Sequence, residues 1–166
     1  EYTNVGSGKF LGLSYLVWIA LVVAAITWFI FNMTRHGKYM YAIGGNPQAA
    51  EVAGVPVKLT LILIYMKAAA MYGLAGFMLG AKAGGASVQT GYGYEMEAIA
   101  ACTIGGVSVT GGRGKVSSAI IGVAVFELLK VALQYLGMNA NAQYIAIGVV
   151  IFIAISLDIR KYIARK

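Results

Sequence analysis

An all-α, polytopic membrane protein is the fold class this sequence predicts, and three observations predict it. Hydrophobic residues make up 60% of the 166 and charged ones only 11%, with a mean hydropathy of +0.77. A soluble domain carries about 25% charged residues, so there are too few polar side chains here to cover a water-facing exterior. The apolar residues are gathered in long runs, the first of which, residues 11–33, is uncharged throughout. The thirteen lysines and arginines fall mainly in short clusters between those runs, as they do in membrane proteins and not as they do on a nucleic-acid-binding surface. With Cys102 the only cysteine and His36 the only histidine, an internal disulfide framework, a multi-cysteine metal site and a histidine-rich zinc motif are excluded. No cofactor is expected.

A helix crosses about 30 Å of hydrocarbon with about 20 residues. Residues 11–33 meet that length, and they are too long for a signal-peptide core and lack a small-residue cleavage site behind them. Residues 59–80 and 116–136 are long enough as well, and residues 144–158 form a further span near the short limit. Residues 98–110 (AIAACTIGGVSVT) are apolar but reach only about 20 Å at 1.5 Å per residue. They predict a short or broken helix, sheltered by protein or lining a cavity, because non-helical backbone facing lipid finds no hydrogen-bond partners. About five membrane segments result, in a single domain over residues 1–166.

The loop charges give an orientation. Counting residues 98–110 as a crossing places Arg35, Lys38, Lys58, Arg113, Lys115, Arg160, Lys161, Arg165 and Lys166 on one face, against Lys9 and Lys82 on the other. Basic residues are retained on the cytoplasmic side, so the N-terminus is expected outside and the C-terminus in the cytoplasm. Residues 1–10 read as the end of an external loop, and the chain reads as the C-terminal half of a longer membrane protein.

The basic loop 34–58 carries the most specific local chemistry. Asn46 is a good N-cap, Pro47 suits the first helical position, and Gly54 suits the left-handed position after a helix end. Together they predict a two-turn helix over residues 46–54, with Pro56 preventing its continuation. Such a helix is too short to be stable alone, and it is either a simple connector or a surface for a partner. The chain itself has no nucleotide motif: Gly114-Lys115 is followed by Val116, with Val109 where a P-loop needs its first glycine, and Gly91-Tyr92-Gly93 lacks a third glycine at position 96.

YAIGGNPQAAEVAGV at 41–55, followed by YEMEAIAACTIGGVSVTGGRG at 94–114, resembles the permease subunits of bacterial ABC importers for monosaccharides (the ribose, xylose and galactose group), and most of all their galactose/methyl-galactoside branch. The resemblance covers the whole chain and corresponds to the C-terminal half of such a subunit. It implies a cell inner-membrane carrier component that is not itself an enzyme. Its expected partners are a separate ABC ATPase, a second permease copy and an extracytoplasmic sugar-binding protein. It also implies that the loop helix is a coupling helix docking in the ATPase through Asn46, Pro47, Ala49, Ala50, Glu51, Val52 and Gly54.

A pathway for a neutral, hydroxyl-rich sugar needs a watery cavity with weak contacts. The candidates for its lining are Glu95, Glu97, Thr103, Gly105, Gly106, Ser108, Gly111 and Gly112. Close helix packing is the competing explanation of the same small residues, as it is for Gly76, Gly80 and Gly84. Three ionisable residues fall inside predicted spans, Lys67, Glu127 and Lys130, where a charge costs roughly 2.5–3.5 kcal/mol on insertion scales. Glu127 and Lys130 are three apart and are expected to compensate each other. Lys67 has no local partner: it faces Glu127, reaches for the interface or borders a cavity. An ion-coupled secondary transporter or channel is the alternative function, and an importer of another small polar solute, such as a pentose or nucleoside, is a further one.

Overall fold

The computed structural model describes residues 8–10 and 12–163. Most of the expected external loop 1–10, Leu11 at the head of the first run, and Arg165 and Lys166 of the basic tail lie outside the described residues. The chain is all-α apart from a two-residue antiparallel ladder, β1 (Lys9–Phe10) with β2 (Leu13–Ser14). It divides into two compact units, Glu1–Tyr92 and Gly93–Lys166.

Among the described residues the first unit holds four helices: α1 (Tyr15–Met33), α2 (Arg35–Gly45), α3 (Pro47–Val52) and α4 (Val57–Ala83). Within the first apolar run, Leu13 and Ser14 form the ladder's second strand, and the Ser14 hydroxyl then accepts the Leu16 N–H at 3.3 Å to open α1. Thr34 separates α1 from α2 and serves both, its hydroxyl donating to the Ile30 carbonyl at 2.6 Å and accepting the Gly37 N–H at 3.2 Å. Helix α2 lies in what reads from sequence as loop. Buried Gly37 explains how it packs: a Cβ at this position would strike the carbonyl oxygens of Ile30 and Phe31, so only glycine lets the first turn of α2 lie against the end of α1. Phe31 and Tyr41 then meet edge to face, 5.8 Å between centroids. Helix α4 runs 27 residues, longer than the predicted span at both ends, and its outward faces carry large apolar side chains such as Ile62, Met66 and Phe77.

The second unit holds α5 (Tyr94–Ile104), α6 (Val116–Tyr135) and α7 (Ala140–Ile163). Its core is Ala100 and Ala101 of α5, Phe126 of α6 and Ile147 of α7, with Ile104 and Ile151 packed against them. Helix α5 is the expected short helix, shifted toward the N-terminus of the predicted segment. Its 11 residues span about 16 Å, and its sheltering against both α6 and α7 leaves Ala100 with no exposed surface. Helix α7 runs 24 residues, with Asn141–Ser156 as its apolar stretch, and the Asn139 carboxamide oxygen accepts the Ala142 N–H at 2.8 Å at its start. Among the described residues three helices, α1, α4 and α6, are long and apolar enough to cross a membrane.

Candidate functional site

The coupling candidates lie wholly in the first unit and the path candidates wholly in the second. In the first unit, Asn46 leaves α2 with extended backbone (φ −160°, ψ 107°) and its side-chain oxygen accepts the Ala49 N–H at 3.0 Å. Pro47 occupies the first turn, where its missing N–H costs nothing. At the other end Gly54 stands at φ +81°. Its N–H donates to the Glu51 carbonyl and that of Val55 to the Ala50 carbonyl, both at 3.0 Å. That pair of bonds is a Schellman closure, which a residue with a Cβ would strain. A six-residue helix is thus tied at both ends by its own sequence.

Its faces differ. Ala50 is buried at 5% exposure, anchoring α3 on the unit, whereas Val52 stands 91% exposed. Asn46, Pro47, Ala49, Glu51 and Gly54 are exposed beside it, and Val55 is half-buried. The result is a small convex knob, apolar at Val52 and charged at Glu51, held between α2 and α4.

In the second unit, Glu95 and Glu97 both lie in the first turn of α5, where negative charge suits the positive end of the helix dipole. Glu95 is exposed. Glu97 accepts a 2.7 Å hydrogen bond from the Lys130 ammonium, with 17% and 20% of the two side chains exposed. Lys130 therefore has its principal partner on another helix; Glu127, the partner expected from sequence, stands at 3.7 Å and is 59% exposed. The Lys130 ammonium also sits over the Phe126 ring, 5.9 Å from its centroid.

The remaining path candidates cluster at the far end of α5. Thr103 is buried and its hydroxyl donates to the Ile99 carbonyl at 2.7 Å, which commits that hydrogen to the helix. Gly105 is a packing position in this unit, since a Cβ there would strike the Ser118 carbonyl. Gly122, which sequence reasoning passed over, is its counterpart: a Cβ on it would collide with the Ala101 carbonyl and lie 2.6 Å from the Gly105 nitrogen. The signal for this contact was the spacing of Ala101 with Gly105 and of Ser118 with Gly122, two small-x-x-x-small pairs that meet face to face. At Gly76 and Gly80, with the same spacing, an added Cβ would meet no atom within 4 Å, and Gly84 ends α4 in the left-handed conformation. Gly106, Gly111 and Gly112 have positive φ and shape the turn after α5. In that turn the hydroxyls of Ser108 and Thr110 pair at 2.8 Å and the Ser108 N–H donates to the Arg113 carbonyl at 3.1 Å.

His36, at the start of α2, has a buried Nε2 with no hydrogen-bond partner among the described residues. Burial, and then the nearby Lys67 ammonium, hold its pKa below the ordinary imidazole value. Cys102 is half-buried, and among the described residues no His, Cys, Asp and Glu group could hold a metal ion.

Comparison with known proteins gives this arrangement a context. The galactose/methyl galactoside import permease protein MglC of Escherichia coli K12 is 43% identical over 154 residues, covering 93% of this chain and 46% of that protein. MglC of Treponema pallidum is 44% identical over 147 residues, covering 89% and 28%. The ribose import permease protein RbsC of Escherichia coli K12 is 36% identical over 156 residues, covering 94% and 49%. The chain spans about half the length, or less, of these curated relatives. No solved structure matches it. The family described as "Branched-chain amino acid transport system / permease component" matches residues 2–155. The resemblance carried by residues 41–55 and 94–114 thus holds, and the chain belongs to this family of polytopic membrane permease components.

Proposed function

We propose that the chain is a membrane-spanning permease component of an ATP-driven sugar importer, passing a monosaccharide of the galactose or methyl galactoside kind. Its partners are an ABC ATPase, a second permease copy and an extracytoplasmic sugar-binding protein. The protein lies in the bacterial inner membrane with the loop between α1 and α4 in the cytoplasm, as the nine basic residues on that face favour. The observation that carries the mechanism is the doubly capped helix α3, with Ala50 seated and Val52 and Glu51 presented outward. Because α3 is tied to α2 and α4, a displacement of its tip by a moving ATPase groove is passed to the helix α4 and not absorbed by a slack loop. The chain supplies the lever and the path; hydrolysis belongs to the partner.

For the path, the support is the short helix α5, whose end inside the unit is rich in glycine and hydroxyl groups. Glu95, exposed at its opposite end, and the turn with Ser108, Thr110, Gly111 and Gly112 are the positions proposed to meet solute. Reconstitution of the protein with its ATPase and binding protein in liposomes tests the reading. Uptake of galactose that requires ATP and all three components is expected. Uptake driven by an imposed ion gradient without the ATPase would instead establish the secondary-transporter alternative.

A further inference from the structure

The first unit contains a cavity of about 220 Å³ between α1, α2 and α4. Its walls include Ile30 and Phe31 of α1, Met40 of α2, and Ile64 and Met71 of α4, and into this apolar lining comes a single charged residue, Lys67. An apolar cavity holds no ordered water to solvate an ammonium, and an uncompensated lysine at membrane depth is costly. Yet no hydrogen bond or ion pair reaches Lys67 among the described residues. Beside it His36 keeps a buried Nε2 that is also unpartnered. Arg35 and Lys38 stand exposed on the same turns of α2. The only carboxylate among the described residues of this unit is Glu51, which is exposed on α3. The positive charge around the cavity is therefore uncompensated by the described residues of the unit.

Depth narrows the class of ligand. Ile30 and Phe31 belong to the last turn of α1, which ends at Met33, so the cavity begins about 5 Å below the end of that helix. With α1 crossing the membrane as proposed, that is the level where hydrocarbon gives way to headgroups, and basic pockets between membrane helices at this level suit anionic headgroups. A free inorganic anion would satisfy the charge but leave the hydrocarbon walls empty. An amphiphile satisfies both.

We propose that this cavity binds an anionic phospholipid from the leaflet in which α1 ends, with its headgroup phosphate on the Lys67 ammonium and the first part of an acyl chain between Ile30, Phe31, Met40, Ile64 and Met71. The lipid fills the gap between α1 and α4 and fastens the root of the α2–α3 arm to both.

The protein, purified in detergent and stripped of lipid, is titrated with phosphatidylglycerol, phosphatidylcholine or inorganic phosphate and followed by native mass spectrometry and thermal unfolding. Phosphatidylglycerol is expected to give a retained one-to-one adduct and a raised Tm that inorganic phosphate neither reproduces nor displaces. Lys67→Gln should weaken that adduct by about tenfold or more, Lys67→Arg should retain it, and Ala68→Trp, which fills the cavity and keeps the charge, should lose it. Equal retention of phosphatidylcholine, full displacement by inorganic phosphate, or an adduct indifferent to Lys67→Gln and Ala68→Trp would each overturn the proposal. So would the absence of any adduct, which is the result if a carboxylate of the protein itself takes Lys67. Should a loss variant fail to fold, the lipid preference of the unaltered protein still decides.

Discussion

Asn46 and Gly54 do for α3 what its length cannot. A six-residue helix gains little from its own hydrogen bonds, so its persistence rests on the Asn46 cap and the Gly54 closure. Replacing an Asn cap by Ala costs about 1 kcal/mol. Asn46→Ala should therefore speed amide exchange at Ala49 about fivefold, with α4 unaffected; an unchanged rate would show that packing, not the cap, holds the helix. His36 makes a second prediction, in pH. Its pKa is lowered in the folded protein, chiefly by burial, so the stability this contributes is fully present above the unfolded value of about 6.5 and is lost as pH falls through the lowered folded value. The protein should lose thermal stability as pH falls below about 6.5, and His36→Gln should flatten that part of the profile. An identical slope in the variant would remove His36 from the cause.

At the scale of elements, the decisive contacts are those that hold α5. It is too short to be placed by the thickness of the membrane, so α6 and α7 must place it. Gly105 against Gly122 brings the backbones together at one end, and Glu97 with Lys130 ties the other. Gly105→Leu should then act by forcing α5 off α6, a cost of about 1–3 kcal/mol or more from overpacking, visible as a lowered Tm before any effect on flux is considered. Breaking the ion pair with Glu97→Leu leaves the ammonium only the more distant Glu127 and should cost about 1–3 kcal/mol, whereas Glu97→Leu with Lys130→Met together should restore most of it. Additive losses in that cycle would mean the pair does not couple. The packing of Gly105 stood in the sequence only as an alternative, and the ion pair was not legible beforehand, for a physical reason. Glu97 and Lys130 are 33 residues apart, so the local rule found only the weaker Glu127 partner. Helix α2 was hidden for a related cause: Gly37, Gly44 and Gly45 weaken its intrinsic propensity, and what fixes it is the Thr34 cap together with the approach of Gly37 to α1. The long apolar helices α1, α4 and α6 and the short helix α3, by contrast, were readable, since lipid imposes its demand on composition and caps impose theirs on neighbours in sequence.

On the scale of the whole molecule, the proposed function makes the chain a permease component that needs a rigid connection to a separate ATPase. The family membership and the 43% identity with an MglC protein set the expectation of an ATPase beneath the membrane, and α3 offers the only short, capped, outward knob among the described helices. Glu51 and Val52 project from it. Glu51→Arg is expected to leave folding and the partner's ATP hydrolysis in place while uptake falls by about tenfold or more, the mark of a lost coupling contact and not of a lost path. Unchanged uptake would take Glu51 out of the contact. All of this requires α3 to face the cytoplasm. Val52→Cys, with Cys102→Ser to remove the other thiol, places a reporter on its most exposed side chain. Reaction with a membrane-impermeant maleimide in inside-out vesicles, and none in intact cells, is the predicted result; labelling of Cys at position 52 from outside intact cells would contradict the account.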